Sequence, residues 1–64
     1  MMYTVLARHL TTKRIRKIAE LNCKTFGEAR QTAMIKFWQG LGDEQLIVAS
    51  PNQLKRWEAE YTIH

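Results

Sequence analysis

Most of what staples or catalyses in small proteins is scarce here. Cys23 is the only cysteine among 64 residues, so no disulfide closes within the chain and a reducing, intracellular setting is the expectation. The three glycines, Gly27, Gly40 and Gly42, match neither a phosphate-cradling loop nor a dinucleotide-binding fingerprint. Apolar runs are short. Tyr3-Thr4-Val5-Leu6-Ala7 falls far below the ~20 residues a membrane span needs. It follows the initial methionines with neither a basic leader nor a small-residue cleavage site, so a cytoplasmic protein is expected.

Constellations for chemistry are missing as well. Nucleophilic catalysis needs a nucleophile, a base and an orienting group gathered in one pocket. Cys23 with His9 or His64 is the only combination of that kind, in a chain too short to enclose a deep pocket. A lone cysteine of this sort is more often a small apolar filler. A metal site from Cys23, His9 and His64 would require three remote side chains to converge, one of them terminal. Glu58 and Glu60 read as solvated, whereas acid–base work needs burial to separate two carboxyl pKa values. The expectation is a non-enzyme with no cofactor and no metal.

What is present begins with charge. Ten Lys and Arg oppose six Asp and Glu, a net charge of +4. Residues 1–36 hold eight basic and two acidic side chains, and residues 37–64 hold two basic and four acidic. The densest basic group is Arg8, His9, Lys13, Arg14, Arg16 and Lys17, with no acid among them. Such asymmetry suits an acidic partner, either nucleic acid or an acidic protein surface. The plain alternative is a solvated hairpin tip that only keeps the chain soluble.

The hydrophobic pattern predicts a single α+β domain over 1–64. Tyr3, Val5 and Ala7 alternate with Thr4, Leu6 and Arg8, as in a strand. Residues 13–21 fit a strand, which would pair with the first across Leu10-Thr11-Thr12. Ile15, Ile18 and Ala19 also sit at helical spacing, so a helix stays open there. Thr25-Phe26-Gly27-Glu28 fits a capping box, and Phe26, Ala29, Ala33 and Phe37 recur along one stripe, predicting a helix over 25–39. Gly40 is placed to end it in the left-handed conformation. Residues 45–50 read as a strand and Pro51-Asn52-Gln53 as a reversal. Trp57, Ala59, Tyr61 and Ile63 then alternate with polar residues, predicting a fourth strand over 56–63. The expected architecture is a small antiparallel sheet, strand-strand-helix-strand-strand, with one helix packed on one face.

Two surfaces emerge as candidates for binding. The first is the basic hairpin, with Arg8, Lys13, Arg14, Arg16 and Lys17 as contact residues. A two-stranded ribbon fits the DNA major groove, but no aromatics are interleaved to stack on single strands and no Asn or Gln is placed to read adenine. Non-specific contact with DNA or RNA is therefore the form of nucleic-acid binding to expect. A helix-turn-helix over 12–38, with Arg30, Gln31 and Lys36 as readers, is a further alternative. The second surface is a surplus of large apolar side chains: Ile35 and Trp38 fall away from the helix stripe centred on Ala33. Trp57 and Tyr61 are either core or contact surface. A second copy of the chain covering Ile35 would also relieve a thin core, since a chain this short buries only roughly 60% of its unfolded surface.

The segment Ala19-Glu20-Leu21-Asn22-Cys23-Lys24-Thr25-Phe26-Gly27-Glu28-Ala29, with Ala33 four residues on, leads a strand into a capped helix. In this layout the chain resembles small phage-encoded anti-CRISPR proteins of α+β build and small phage inhibitors of bacterial RNA polymerase. The likeness spans roughly residues 3–61 and rests on a generic strand-to-helix junction. The basic hairpin departs from the acidic surfaces common in those families, so no functional residue carries over. The resemblance implies a stoichiometric inhibitor seated on a bacterial protein or nucleoprotein complex, without a membrane partner.

Overall fold

The computed structural model describes residues 1–61. Strands β1 (Met2–His9) and β2 (Ile15–Asn22) are followed by helix α1 (Phe26–Phe37). A single 3₁₀ turn (Trp38–Gly40), strand β3 (Glu44–Ala49) and helix α2 (Pro51–Glu60) complete the fold. The three strands form one antiparallel sheet in the order β2-β1-β3. Because β1 lies between them, the β2-α1-β3 connection carries the chain from one edge of the sheet to the other.

The chain is thus α+β, with α1 packed on the sheet, as the hydrophobic pattern predicts. The ambiguous 13–21 segment is a strand from Ile15 on, with residues 13 and 14 in the turn before it, which excludes the helix-turn-helix arrangement. Its partner in β1 is fixed from Met2 opposite Asn22 to Arg8 opposite Ile15, with a step between Val5 and Leu6 that leaves Ile18 as an extra residue in β2.

The fourth strand predicted over 56–63 is not formed within the described residues. Pro51–Glu60 is a helix instead, and Ile63 lies outside the described residues. Ser50 caps it: its Oγ accepts from the Gln53 N–H, while the Ser50 N–H donates to Gln53 Oε1 at 3.0 Å. This reciprocal box, with Pro51 at the first helical position, starts a helix where a reversal was expected. Leu54, Trp57 and Tyr61 then fall at i, i+3 and i+7, and all three pack on the sheet.

Tyr3, Thr4, Val5, Leu6 and Ala7 are all buried. Successive side chains of a strand point to opposite faces, so five in a row require cover on both sides. The Leu6 side carries Ile15, Ala49 and Ile47 and is covered by Leu54 and Trp57 of the second helix and by Tyr61 just past its end. On the other side Tyr3 meets Phe26 edge-on, with ring centroids 6.0 Å apart. Ala29 and Ala33 are fully buried there, so α1 rests on its two smallest side chains. Val5, Leu6 and Ile15 are the largest fully buried residues, each stabilising the fold by roughly 1.5–3 kcal/mol.

The start of α1 keeps half of its expected box: Thr25 Oγ1 accepts from the Glu28 N–H at 3.2 Å. Its end differs from expectation. Trp38 terminates it in right-handed geometry, and the left-handed glycine is Gly42, at φ 52°, in the turn before β3. The stripe is also thinner than predicted. Phe26 is exposed and Phe37 only half-buried, leaving the interface to the alanines.

Candidate functional site

Five residues, Leu10 to Arg14, connect β1 to β2 at the tip of the basic hairpin. His9 N–H donates to the Arg14 carbonyl at 2.8 Å and the His9 carbonyl accepts from Lys13 N–H at 3.0 Å. His9 Nδ1 accepts from both the Thr11 and Thr12 amides at 3.2 Å. Lys13 takes a left-handed φ of 64°, just before Arg14, whose carbonyl accepts from the His9 N–H and closes the turn.

The six basic residues do not form a free cationic surface. Arg16 donates through Nε and Nη2 to both carboxylate oxygens of Glu44 at 2.9 Å. That hydrogen bond, with the charge of Glu44, raises the Arg16 pKa above its ordinary value. It also holds the Glu44 carboxyl below the usual range against the opposing effect of burial. Lys17 pairs with Glu20 on the same strand. Arg8, half-buried, places its guanidinium 5.7 Å from the Tyr61 ring centroid, a cation–π arrangement. Only Lys13 and Arg14, at the exposed tip, carry charge without such an arrangement among the described residues. Of the predicted contact residues of the hairpin, three of five are therefore committed to intramolecular partners.

Ile35 and Trp38 sit where the sequence pattern places them, facing outward. Ile35 is 71% exposed, Trp38 58% and Met34 51%, and together they line one shallow depression. Isolated exposed apolar residues are ordinary, but adjacent large ones mark interaction sites. Helix α1 buries only Ala29 and Ala33 and exposes Met34 and Ile35, so its large apolar residues are not confined to the inner face. Phe26, Arg30 and Met34 extend the same surface toward β3, forming a cleft with Leu46, Ile47 and Val48. A second cleft flanks the opposite side of that strand, lined by Ile47, Val48, Gln53, Arg56, Trp57, Glu60 and Tyr61. Sequence reasoning missed Phe26, Met34 and the β3 edge. The i, i+4 spacing of Phe26, Arg30, Met34 and Trp38 was the available signal.

Among the described residues no three His, Cys, Asp or Glu side chains gather as a metal would require. Cys23 is half-buried beside the start of α1, where its N–H donates to the Met1 carbonyl. His64 lies outside the described residues. No described helix is long and apolar enough to cross a membrane. No protein-family model, curated protein or solved structure matches this chain.

Proposed function

We propose that this chain is a non-catalytic binding protein that meets a protein partner through the outward face of α1, with Ile35 and Trp38 as anchors. The observation that carries this reading is the exposure of Met34, Ile35 and Trp38 as one cluster on a helix already seated by Ala29 and Ala33. Tryptophan is enriched among interface hot spots, and Ile35 beside Trp38 enlarges the apolar area it can bury. Arg30 and Lys36, which have no ion-pair partner among the described residues, flank the cluster on α1. An apolar centre with basic neighbours suits a partner surface that is apolar with an acidic rim.

A narrower form of the proposal follows from the likeness to small phage inhibitors: the partner is a bacterial nucleoprotein complex such as a CRISPR effector or RNA polymerase. Direct nucleic-acid binding through the hairpin is the competing reading. The pairing of Arg16 with Glu44 and of Lys17 with Glu20 argues against it, since those charges would have to exchange partners to meet phosphates.

The test is capture of partners from bacterial lysate by tagged wild type, Ile35→Asp with Trp38→Ala, and Lys13→Glu with Arg14→Glu, each with and without nuclease. The proposal expects a discrete complex that survives nuclease and is lost only with the Ile35 and Trp38 changes. Loss of everything after nuclease would transfer the function to nucleic acid, and loss of a nuclease-resistant complex with the hairpin changes alone would move the contact surface to the hairpin.

A further inference from the structure

We infer that β3 is the contact strand of a two-fold symmetric dimer, in which two copies join edge to edge into one continuous six-stranded sheet. The first observation is the contrast between the two sheet edges. The β2 edge carries Arg16, Lys17 and Glu20 and an extra residue at Ile18, the devices that discourage strand pairing. The β3 edge carries none of them from Gln45 to Ala49. It presents Leu46, Ile47 and Val48, all half-buried, between two clefts.

The second observation is the direction of the backbone groups. Leu10 N–H donates to the Asp43 carbonyl at 2.9 Å, which makes that opposed pair hydrogen-bonded. Antiparallel pairs alternate, so Gln45, Ile47 and Ala49 turn their N–H and C=O groups toward β1. Leu46 and Val48 turn theirs outward, where no described residue meets them. The flanking amides are already used: Glu44 N–H donates to Leu41 and Ser50 N–H to Gln53.

These constraints select one register. A two-fold axis through Ile47 sets Leu46 opposite Val48 of the second copy and the reverse, pairing the free groups of both. Moving the axis to Leu46 would set Glu44 against an apolar Val48, and moving it to Val48 would set Leu46 against Ser50. With the axis at Ile47, apolar side chains of each edge enter the clefts of the other. The same operation sets the two α2 helices antiparallel across the seam, where Arg56 and Glu60 of each copy both line the cleft. The surface is therefore complementary to itself in hydrogen bonds, shape and charge, which singles out a second copy over an arbitrary peptide. Ile35 and Trp38 lie outside these clefts, while Arg30 and Met34 line the one beside α1, so the dimer seam borders the partner surface proposed above without covering its two anchors.

Sedimentation equilibrium of the full chain tests the dimer. Wild type is expected to approach twice its 7.5 kDa mass as concentration rises through the micromolar range. Val48→Pro removes an outward amide and spares the β1 ladder, so it is expected to leave a folded monomer. Glu20→Pro, on the other edge, is expected to remain dimeric. In a Cys23→Ser background, Ile47→Cys is expected to form an interchain disulfide on mild oxidation, because opposed residues of a non-hydrogen-bonded pair lie about 4.5 Å apart at Cα, within disulfide range. A monomeric wild type at all concentrations overturns the inference, as does a dimer unaffected by Val48→Pro. Should Val48→Pro fail to fold, absence of the Ile47→Cys crosslink overturns it alone.

Discussion

Arg16 in β2 and Glu44 in β3 meet across the strand that separates them, through two hydrogen bonds of 2.9 Å. The intervening residue paired with Arg16 is Ala7, whose methyl group leaves room for the guanidinium to cross. The pair ties the two edges of the sheet together and withdraws one cation from the hairpin surface.

The pH dependence of stability follows from that pair. The Glu44 carboxyl is depressed, first by the Arg16 hydrogen bond. A depressed carboxyl contributes stability above its unfolded value, about 4.3, and the contribution is lost as pH falls through the folded value. Glu44→Gln is expected to lower stability at neutral pH by no more than about 1 kcal/mol, because Arg16 is half exposed and its charge is partly screened. The deficit should shrink as pH is taken from 7 toward about 2. Urea midpoints of both proteins across that range check it, and a deficit of constant size would exclude the linkage.

Much of the fold was legible because local signals agreed with tertiary ones. Thr25 and the Ala29–Ala33 spacing located α1, and the alternation from Tyr3 to Arg8 located β1. The second helix was missed because Trp57 and Tyr61, four apart, satisfy both a period of two and a helical period. Their shared face does not decide between them. Ser50-Pro51-Asn52-Gln53 did carry the decision, as a capping box with proline at its first position. The site was less legible. Nothing in the spacing of Arg16 shows that Glu44, 28 residues away, will neutralise it, since that depends on strand order. Ile35 and Trp38 were readable because a helix face follows directly from periodicity.

The cap of α2 gives a second expectation. Ser50→Ala removes the acceptor for the Gln53 amide and one side of the reciprocal pair, at a cost of about 1 kcal/mol. Because Leu54 and Trp57 of that helix cover Leu6, the loss should be shared by the whole fold. Far-ultraviolet circular dichroism and Trp57 fluorescence, read in a Trp38→Phe background because Trp38 also emits, should therefore report one transition at a lower denaturant midpoint. Separate transitions for the two signals would show that α2 unfolds alone.

At the hairpin, Lys13 holds a left-handed φ of 64° without being glycine. That conformation costs an ordinary residue about 1–2 kcal/mol, while glycine loses roughly 0.5–1 kcal/mol through its freer unfolded state. Lys13→Gly is accordingly expected to stabilise the protein by a few tenths to about 1 kcal/mol. Lys13→Val, with a β-branched side chain, should destabilise it. Thermal melts of the two variants check the order, and a more stable Lys13→Val would contradict the turn geometry.

The sharpest separation between folding and binding lies on α1. Ile35 is 71% exposed, so replacing it disturbs little packing, and Ile35→Lys should change stability by less than about 0.5 kcal/mol. Leu6, fully buried beneath the second helix, offers the contrast, since Leu6→Ala should cost about 2–5 kcal/mol. If the outward face of α1 serves a partner, Ile35→Lys abolishes capture while its denaturation curve overlays wild type. If that face instead packs against the rest of the chain in solution, the same substitution shifts the curve as a core change does. Equilibrium unfolding and partner capture on the same preparations distinguish these outcomes. A large stability loss at Ile35 would remove the basis for treating this face as a binding surface.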